Sequence, residues 1–442
     1  MARVSVHISR GRAANVERSK RSWFRGALLV LGAASLGFPC FAANAPHWVG
    51  SWMGAPCAPA SAEPRSEQFQ MQNETIREIV HLSIGGIGLR IRFSNTFGTQ
   101  PLLLRAVHVA SRTRADVIDP STDRAVTFSG AMEVTIPPGK SIVSDPVNLA
   151  MSASSDLAVS YYVPEKATAG AIHYTALQTS YVVQGEKTIV PDFGKAAHAI
   201  TLHLALTGVD VATRTSPGAI VAIGSSTTDG AHSTMNANRR WTDDLFGRIL
   251  AQAGERSPAV LNAGISGNRV LHDGQGSWGP VWGQSAVARF PRDVLDQSGV
   301  TAVVLFEGGN DIRESGNGEA ITQQQLIAGF ELLARIAHQH GLKVVVGTIT
   351  PFEGSGKNNG DDPEPEIKRL AFNRWARSSK DIDGVVDFDA AIGDPRHPSR
   401  IFASFDSGDH LHPNDAGYQA MADSINLKLF SINASATSVG AP

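Results

Sequence analysis

The pattern of apolar and polar positions changes character about halfway along the 442-residue chain. From about 46 to 207 the apolar runs are short. Ile76-Arg77-Glu78-Ile79-Val80-His81-Leu82-Ser83-Ile84 ends at Gly85-Gly86. Leu89-Arg90-Ile91-Arg92-Phe93 then alternates apolar with polar, the period of a half-buried strand. Further runs at 125–128, 133–136, 157–163 and 181–183 are separated by punctuation such as Pro137-Pro138-Gly139. Many short strands with turn chemistry between them predict a β-sandwich-like domain over 46–207.

Beyond about 218, strand-like runs at 219–223, 259–262, 301–306, 343–348 and 384–388 alternate with helical patterns at 238–253, 284–297, 322–340, 364–380 and 413–429. Leu326, Phe330, Leu333 and Ala337 fall on one helical face, as do Met421, Ile425 and Leu429. Nearly unbroken apolar strands alternating with helices predict a five-stranded parallel sheet covered on both faces, over 218–432. Such a sheet places its site at the carboxyl ends of the strands. Residues 208–217 read as the linker and 433–442 as a tail.

Composition narrows the picture. Hydrophobic residues make up 42% and charged residues 18%, which suits a globular chain. Two cysteines, Cys40 and Cys57, exclude multi-cysteine zinc and iron–sulfur sites. Residues 1–25 carry seven Arg and Lys side chains against Glu17 alone, so the rest carries −8 of the net −2. An acidic body argues against a nucleic-acid partner. The basic stretch precedes an apolar run from Gly26 to Phe41 and then small residues, the order of a signal peptide over 1–42. The expected location is therefore periplasmic or extracellular, with no stable membrane insertion after cleavage. The oligomeric state stays open.

Four polar clusters stand after strands or before the last helix. They are Gly224-Ser225-Ser226-Thr227-Thr228-Asp229-Gly230, Asn262-Ala263-Gly264-Ile265-Ser266-Gly267-Asn268, Glu307-Gly308-Gly309-Asn310-Asp311 and Asp409-His410-Leu411-His412-Pro413. Topology gathers all four on one sheet edge. These residue types permit acyl transfer by a serine nucleophile. A serine hydroxyl attacks only when a base takes its proton, and His412 is the candidate base. Asp409, three residues earlier, can hold the imidazole in one tautomer and stabilise its protonated form. The backbone N–H groups of Ser226 and Gly267 and the amide of Asn310 are the candidate oxyanion donors. Pro413 suits the first helical position, placing His412 at a helix mouth.

In the order and spacing of these blocks the chain resembles the SGNH (GDSL) hydrolases. The resemblance implies Ser226 as the nucleophile, Gly267 and Asn310 as the remaining oxyanion donors, and Asp409 and His412 as the family's Asp-x-x-His pair. It implies a flavodoxin-like three-layer α/β/α domain with no metal or other cofactor. The mature chain also resembles secreted bacterial members with a β-rich N-terminal domain. One departure stands out: the family reads Gly-Asp-Ser where this chain has Gly224-Ser225-Ser226. The implied activity is hydrolysis of carboxylic esters, carbohydrate acetyl esters or short-chain and aryl esters foremost. The substrate is then a small molecule or a polysaccharide. The alternative is a glycan binder whose hydrolase domain has decayed, for which Ser225 is the only argument.

Other residues carry lesser expectations. Glu307 reads as a buried carboxylate paired with backbone donors, Asp311 as structural and Asp229 as a loop organiser. Asp387 and Asp389 are reserve carboxylates should Asp409 not serve. Trp278 and Trp282, on a Gly-rich loop, are expected either to line a substrate pocket or to pack that loop on the sheet. All candidate catalytic groups lie beyond 217, so a fragment starting there is expected to hydrolyse small esters.

Overall fold

Five apolar segments build a parallel sheet: β1 (Ala219–Gly224), β2 (Ala259–Gly264), β3 (Val300–Phe306), β4 (Lys343–Gly347) and β5 (Gly384–Val386). The computed structural model describes residues 45–61, 63–313, 321–356 and 362–432. The expected signal segment at 1–42 and tail at 433–442 lie outside the described residues. The strand order is β2-β1-β3-β4-β5, the flavodoxin-like arrangement. All six residues of β1 are buried, as the unbroken run Ala219-Ile220-Val221-Ala222-Ile223 requires. β5 is shorter than its sequence run, because Asp387 caps a short helix, Phe388–Ile392, by accepting from Ala390 N–H.

Besides shorter helical turns, the helices include α1 (Ser226–Asp229), α2 (Trp241–Ala253), α3 (Gln323–Gln339), α4 (Glu364–Ser378) and α5 (Asp415–Ser424). α3 starts in a capping box: Thr322 Oγ1 accepts from Gln325 N–H, and Gln325 Oε1 accepts from Thr322 N–H. It buries Leu326, Phe330, Leu333 and Ala337. α3 packs with α4, and α2 with α5.

Two larger antiparallel sheets dominate the β-rich part, beside two short two-stranded ladders. One runs in the order His47–Met53, Leu206–Thr213, Leu89–Ser94, Ser141–Val143. The larger is centred on Glu74–Leu82, Ser155–Val163 and Leu102–Arg114. Ile76, Val80, Leu157 and Val159 share one core with Ile91 and Val209. The other face of the larger sheet is covered too. Ile79, Ala110, Ile118 and Ala158 form a small second cluster there. Beside it, buried Arg77 donates to the carbonyls of Asp116, Thr188 and Val190. Burial on both faces explains why 76–80 does not alternate cleanly.

The linker expected at 208–217 is a correction. Leu206–Thr213 is a strand, buried at all eight positions, between His47–Met53 and Leu89–Ser94. Gly208, Asp210 and Thr213 give it the composition of a loop. Asp210 is tolerated because Ser298 Oγ donates to it at 2.7 Å and Arg92 lies 3.9 Å away. Only residues 214–218 connect the two parts. The parts also touch closely, since Gly50 N–H donates to Ser298 O at 2.9 Å and a Cβ at Gly50 would meet Leu261 at 2.9 Å. The described residues form one compact unit.

Candidate active site

β1 ends in a turn that only glycine fits. A Cβ at Gly224 would lie 2.3 Å from both Phe306 O and Thr228 Oγ1. Ser225 follows, and Ser226 opens α1. From the other end of the chain, the loop before α5 brings His412 to it. His412 Nε2 lies 2.7 Å from Ser226 Oγ, and His412 Nδ1 lies 2.6 Å from Asp409 Oδ2. The other oxygen, Asp409 Oδ1, accepts from Leu411 N–H at 2.9 Å and His412 N–H at 2.8 Å. Burial opposes the charge on Asp409. The His412 ring and these two N–H groups outweigh it and hold the carboxyl well below its usual range. Pro413 does not open α5 as the sequence suggests. Asn414 caps that helix, accepting from Gly417 N–H at 3.0 Å, which leaves Pro413 outside it.

The second and third clusters meet across β2 and β3. Gly267 has φ +83°, and a Cβ there would strike the Trp282 ring at 2.2 Å. Asn310 donates one Nδ2–H to Asn268 O at 2.9 Å, which fixes its amide beside Gly267. Asp311 accepts from Val270 N–H at 3.0 and 2.9 Å through its two oxygens. Burial pushes its carboxyl up to about 6, although the Val270 and Leu271 N–H groups pull the other way. Asp229 accepts from Ser266 N–H at 2.8 Å and Ser266 Oγ at 2.7 Å, tying α1 to the loop that carries Gly267.

A cavity of about 30 Å³ opens beside Ser226 and Asn310; Phe306, Glu307, Ile349, Thr350, Phe352 and Leu411 line it. Trp278 and Trp282 do not line it. Trp282 packs on Gly267, and Trp278 is 41% exposed. Asp387 and Asp389 are held by Arg377, and Asp389 also by Arg369.

Glu307 is a correction. It is 4% exposed, and no backbone N–H bonds its carboxyl oxygens; the polar group beside them is the Ser225 hydroxyl. Burial pushes it well above its ordinary value; Arg289 and the Ser225 hydroxyl pull down and Asp311 pushes further up. The sequence also gave no sign of His232. Its Nε2 lies 3.3 Å from Asp409 Oδ2, and its ring stacks on His412 at 5.2 Å. It sits far from both in sequence and in no motif. His232, Asp409 and His412 offer ligand atoms within 4.8 Å of one another, the one such group among the described residues. The 2.6 Å contact of Asp409 with His412 is a hydrogen bond, shorter than the roughly 3.3 Å between two ligands of a tetrahedral zinc.

The sequence model of the GDSL-like lipase/acylhydrolase family matches residues 222–420. Among curated proteins, none matches the chain. Among the solved structures similar to it are the following two. A GDSL-like lipase from Bacteroides thetaiotaomicron is 18% identical, over 48% of this chain and 87% of that one, with a TM-score of 0.34. An acetylxylan esterase from Geobacillus stearothermophilus is 19% identical, over 50% of this chain and 96% of that one, with a TM-score of 0.37. Over residues 222–420 the chain is thus similar to the GDSL-like lipase/acylhydrolase family, which supports a carboxylic ester hydrolase.

Proposed function

We propose that the protein is an exported serine esterase that cleaves short-chain acyl esters through an acyl-enzyme on Ser226. Carbohydrate acetyl esters and aryl esters are the leading substrates. The observation that carries this reading is the unbroken hydrogen-bond line from Asp409 through His412 to Ser226 Oγ. His412 takes the serine proton as Oγ attacks the ester carbonyl. The N–H groups of Ser226 and Gly267 and the second Nδ2–H of Asn310 receive the oxyanion. The alcohol leaves with the proton from His412. Water, deprotonated by His412 in turn, then releases the carboxylic acid. Asp409, held ionised, stabilises the imidazolium in both halves.

The cavity of about 30 Å³ supports a short acyl group, since a single water needs about 10–15 Å³ on this measure. The basic and apolar order of residues 1–42 supports export. The decayed-hydrolase alternative rested on Ser225, and the complete line of Asp409, His412 and Ser226 speaks against it. A fluorophosphonate is expected to label the protein once, on the peptide that contains Ser226. Ser226→Ala is expected to lower p-nitrophenyl acetate hydrolysis by ~10⁴-fold or more. Ser225→Ala should keep at least about a tenth of the rate, because its hydroxyl is outside the line. The opposite ranking of the two serine variants would show that the nucleophile has been assigned to the wrong residue.

A further inference from the structure

Asp229 joins two parts of the proposed site. It ends α1, three residues after Ser226, and is 2% exposed. Its Oδ2 holds the N–H and Oγ of Ser266, the residue before Gly267. One carboxylate thus sets the spacing between the turn that carries Ser226 and the loop that carries Gly267, two of the three oxyanion donors. Its other oxygen faces the β-rich part. Asp229 Oδ1 lies 3.1 Å from His173 Nε2. A second contact runs parallel to it, with Thr175 Oγ1 at 3.1 Å from Ser266 Oγ.

His173 is itself firmly placed. Its Nδ1 lies 3.1 Å from Ala55 O. It pairs across a two-residue ladder with His203, on which its ring stacks at 6.2 Å. His203 is buried, with Nδ1 at 2.9 Å from Glu78 Oε2. Glu78 lies in the middle of Glu74–Leu82, and its Oε1 accepts from Tyr161 Oη and from Leu204 N–H. A chain of polar contacts, with one ring stack between His203 and His173, therefore runs from the centre of the larger sheet to the back of the nucleophile turn. A buried carboxylate stays in place only while its oxygens are satisfied.

We propose that His173, on the β-rich part, is a positioning residue for ester hydrolysis. Through Asp229 it fixes the Ser226 turn against the Gly267 loop. The proposal rests on the reading of Ser226 as nucleophile. It says that the β-rich part completes the geometry of the site without touching substrate. Oxyanion donors act only when held close to their productive positions, and a misplacement of about 1 Å costs on the order of a hundredfold.

The test uses the full chain. Active sites are counted by fluorophosphonate labelling, so that misfolded protein does not enter the rate. His173→Ala is expected to lower kcat per labelled site on p-nitrophenyl acetate about tenfold or more, with KM within about twofold. His173→Gln, whose amide can still donate to Asp229, is expected to recover most of that loss. A purely structural role would change the labelled fraction and the melting temperature and leave kcat per site alone. That result, or a Gln variant no better than Ala, overturns the proposal. Should His173→Ala yield no folded protein, the Gln variant and Ser266→Ala decide. Ser266→Ala removes one of the two bonds to Asp229 Oδ2 and the contact with Thr175, leaving the backbone N–H bond, and is expected to lower kcat in the same direction by a smaller factor; wild-type kcat in it overturns the proposal. A wild-type protein that neither labels on Ser226 nor hydrolyses esters would instead sink the reading under Proposed function. An active wild type with indifferent His173 variants sinks this one alone.

Discussion

At the level of single side chains, the carboxyl of Glu307 sets a condition on the pH at which the site works. It lines the cavity beside Ser226 and Asn310 with no backbone donor on either oxygen. Burial raises its pKa well above the ordinary carboxylate value. As pH rises through its raised pKa it ionises, and a carboxylate there repels the oxyanion formed on the substrate. kcat is therefore expected to fall on the alkaline side. Glu307→Gln, the neutral isostere, should stay within about threefold of wild type near pH 7 and lose the alkaline fall. A Gln variant with an unchanged alkaline limb would show that Glu307 is not the group responsible. The identities of Ser226, Asn310, Asp409 and His412 were legible because each sits in a compact polar cluster at the end of an apolar run. Glu307's lack of backbone donors, His232's stacking and His173's reach were not, since each depends on a neighbour distant in sequence.

Among the elements, the oxyanion loop and the short helix Gly309–Arg313 are joined by Asp311, and this joint has its own pH dependence. Burial raises the Asp311 carboxyl from 3.8 to about 6 in the folded protein. Between those values the folded state holds a proton that the unfolded chain releases. The contribution to stability is thus fully present below about pH 4 and is lost as pH rises through about 6. The shift corresponds to about 3 kcal/mol. Urea unfolding at pH 5 and pH 8 should show Asp311→Asn gaining on wild type at the higher pH. An equal difference at both pH values would remove this assignment. The same scale shows what the chain's pattern conveys. The runs of β1 to β4 were readable because strands buried on both faces are apolar throughout. Leu206–Thr213 is just as buried, but its Gly208 and Asp210 are paid for by partners, Ser298 and Arg92, that no local pattern reveals.

For the molecule as a whole, the shared core and the single compact unit of the described residues predict joint unfolding. Urea denaturation followed by circular dichroism and by esterase activity should give coincident transitions. Two separated midpoints, with activity surviving the first, would mean that the α/β part stands alone. A fragment covering 217–442 is expected to be insoluble or to turn over small esters at least about tenfold more slowly than the full chain, in place of the independent activity that the positions of its catalytic groups suggest. It lacks His173 and Thr175, and it bares the surface of β2 that His47–Met53 covers. The strand Leu206–Thr213 carries a consequence for ancestry. A region joined by a loose tether can be traded between genes at little cost, each half meeting any partner. Here the crossover point is a strand buried on every side, so a recombinant that swaps the first half for a foreign one inherits mismatched neighbours at Ser298, Asp229 and Ser266. The two halves are expected to have changed together, as one heritable unit.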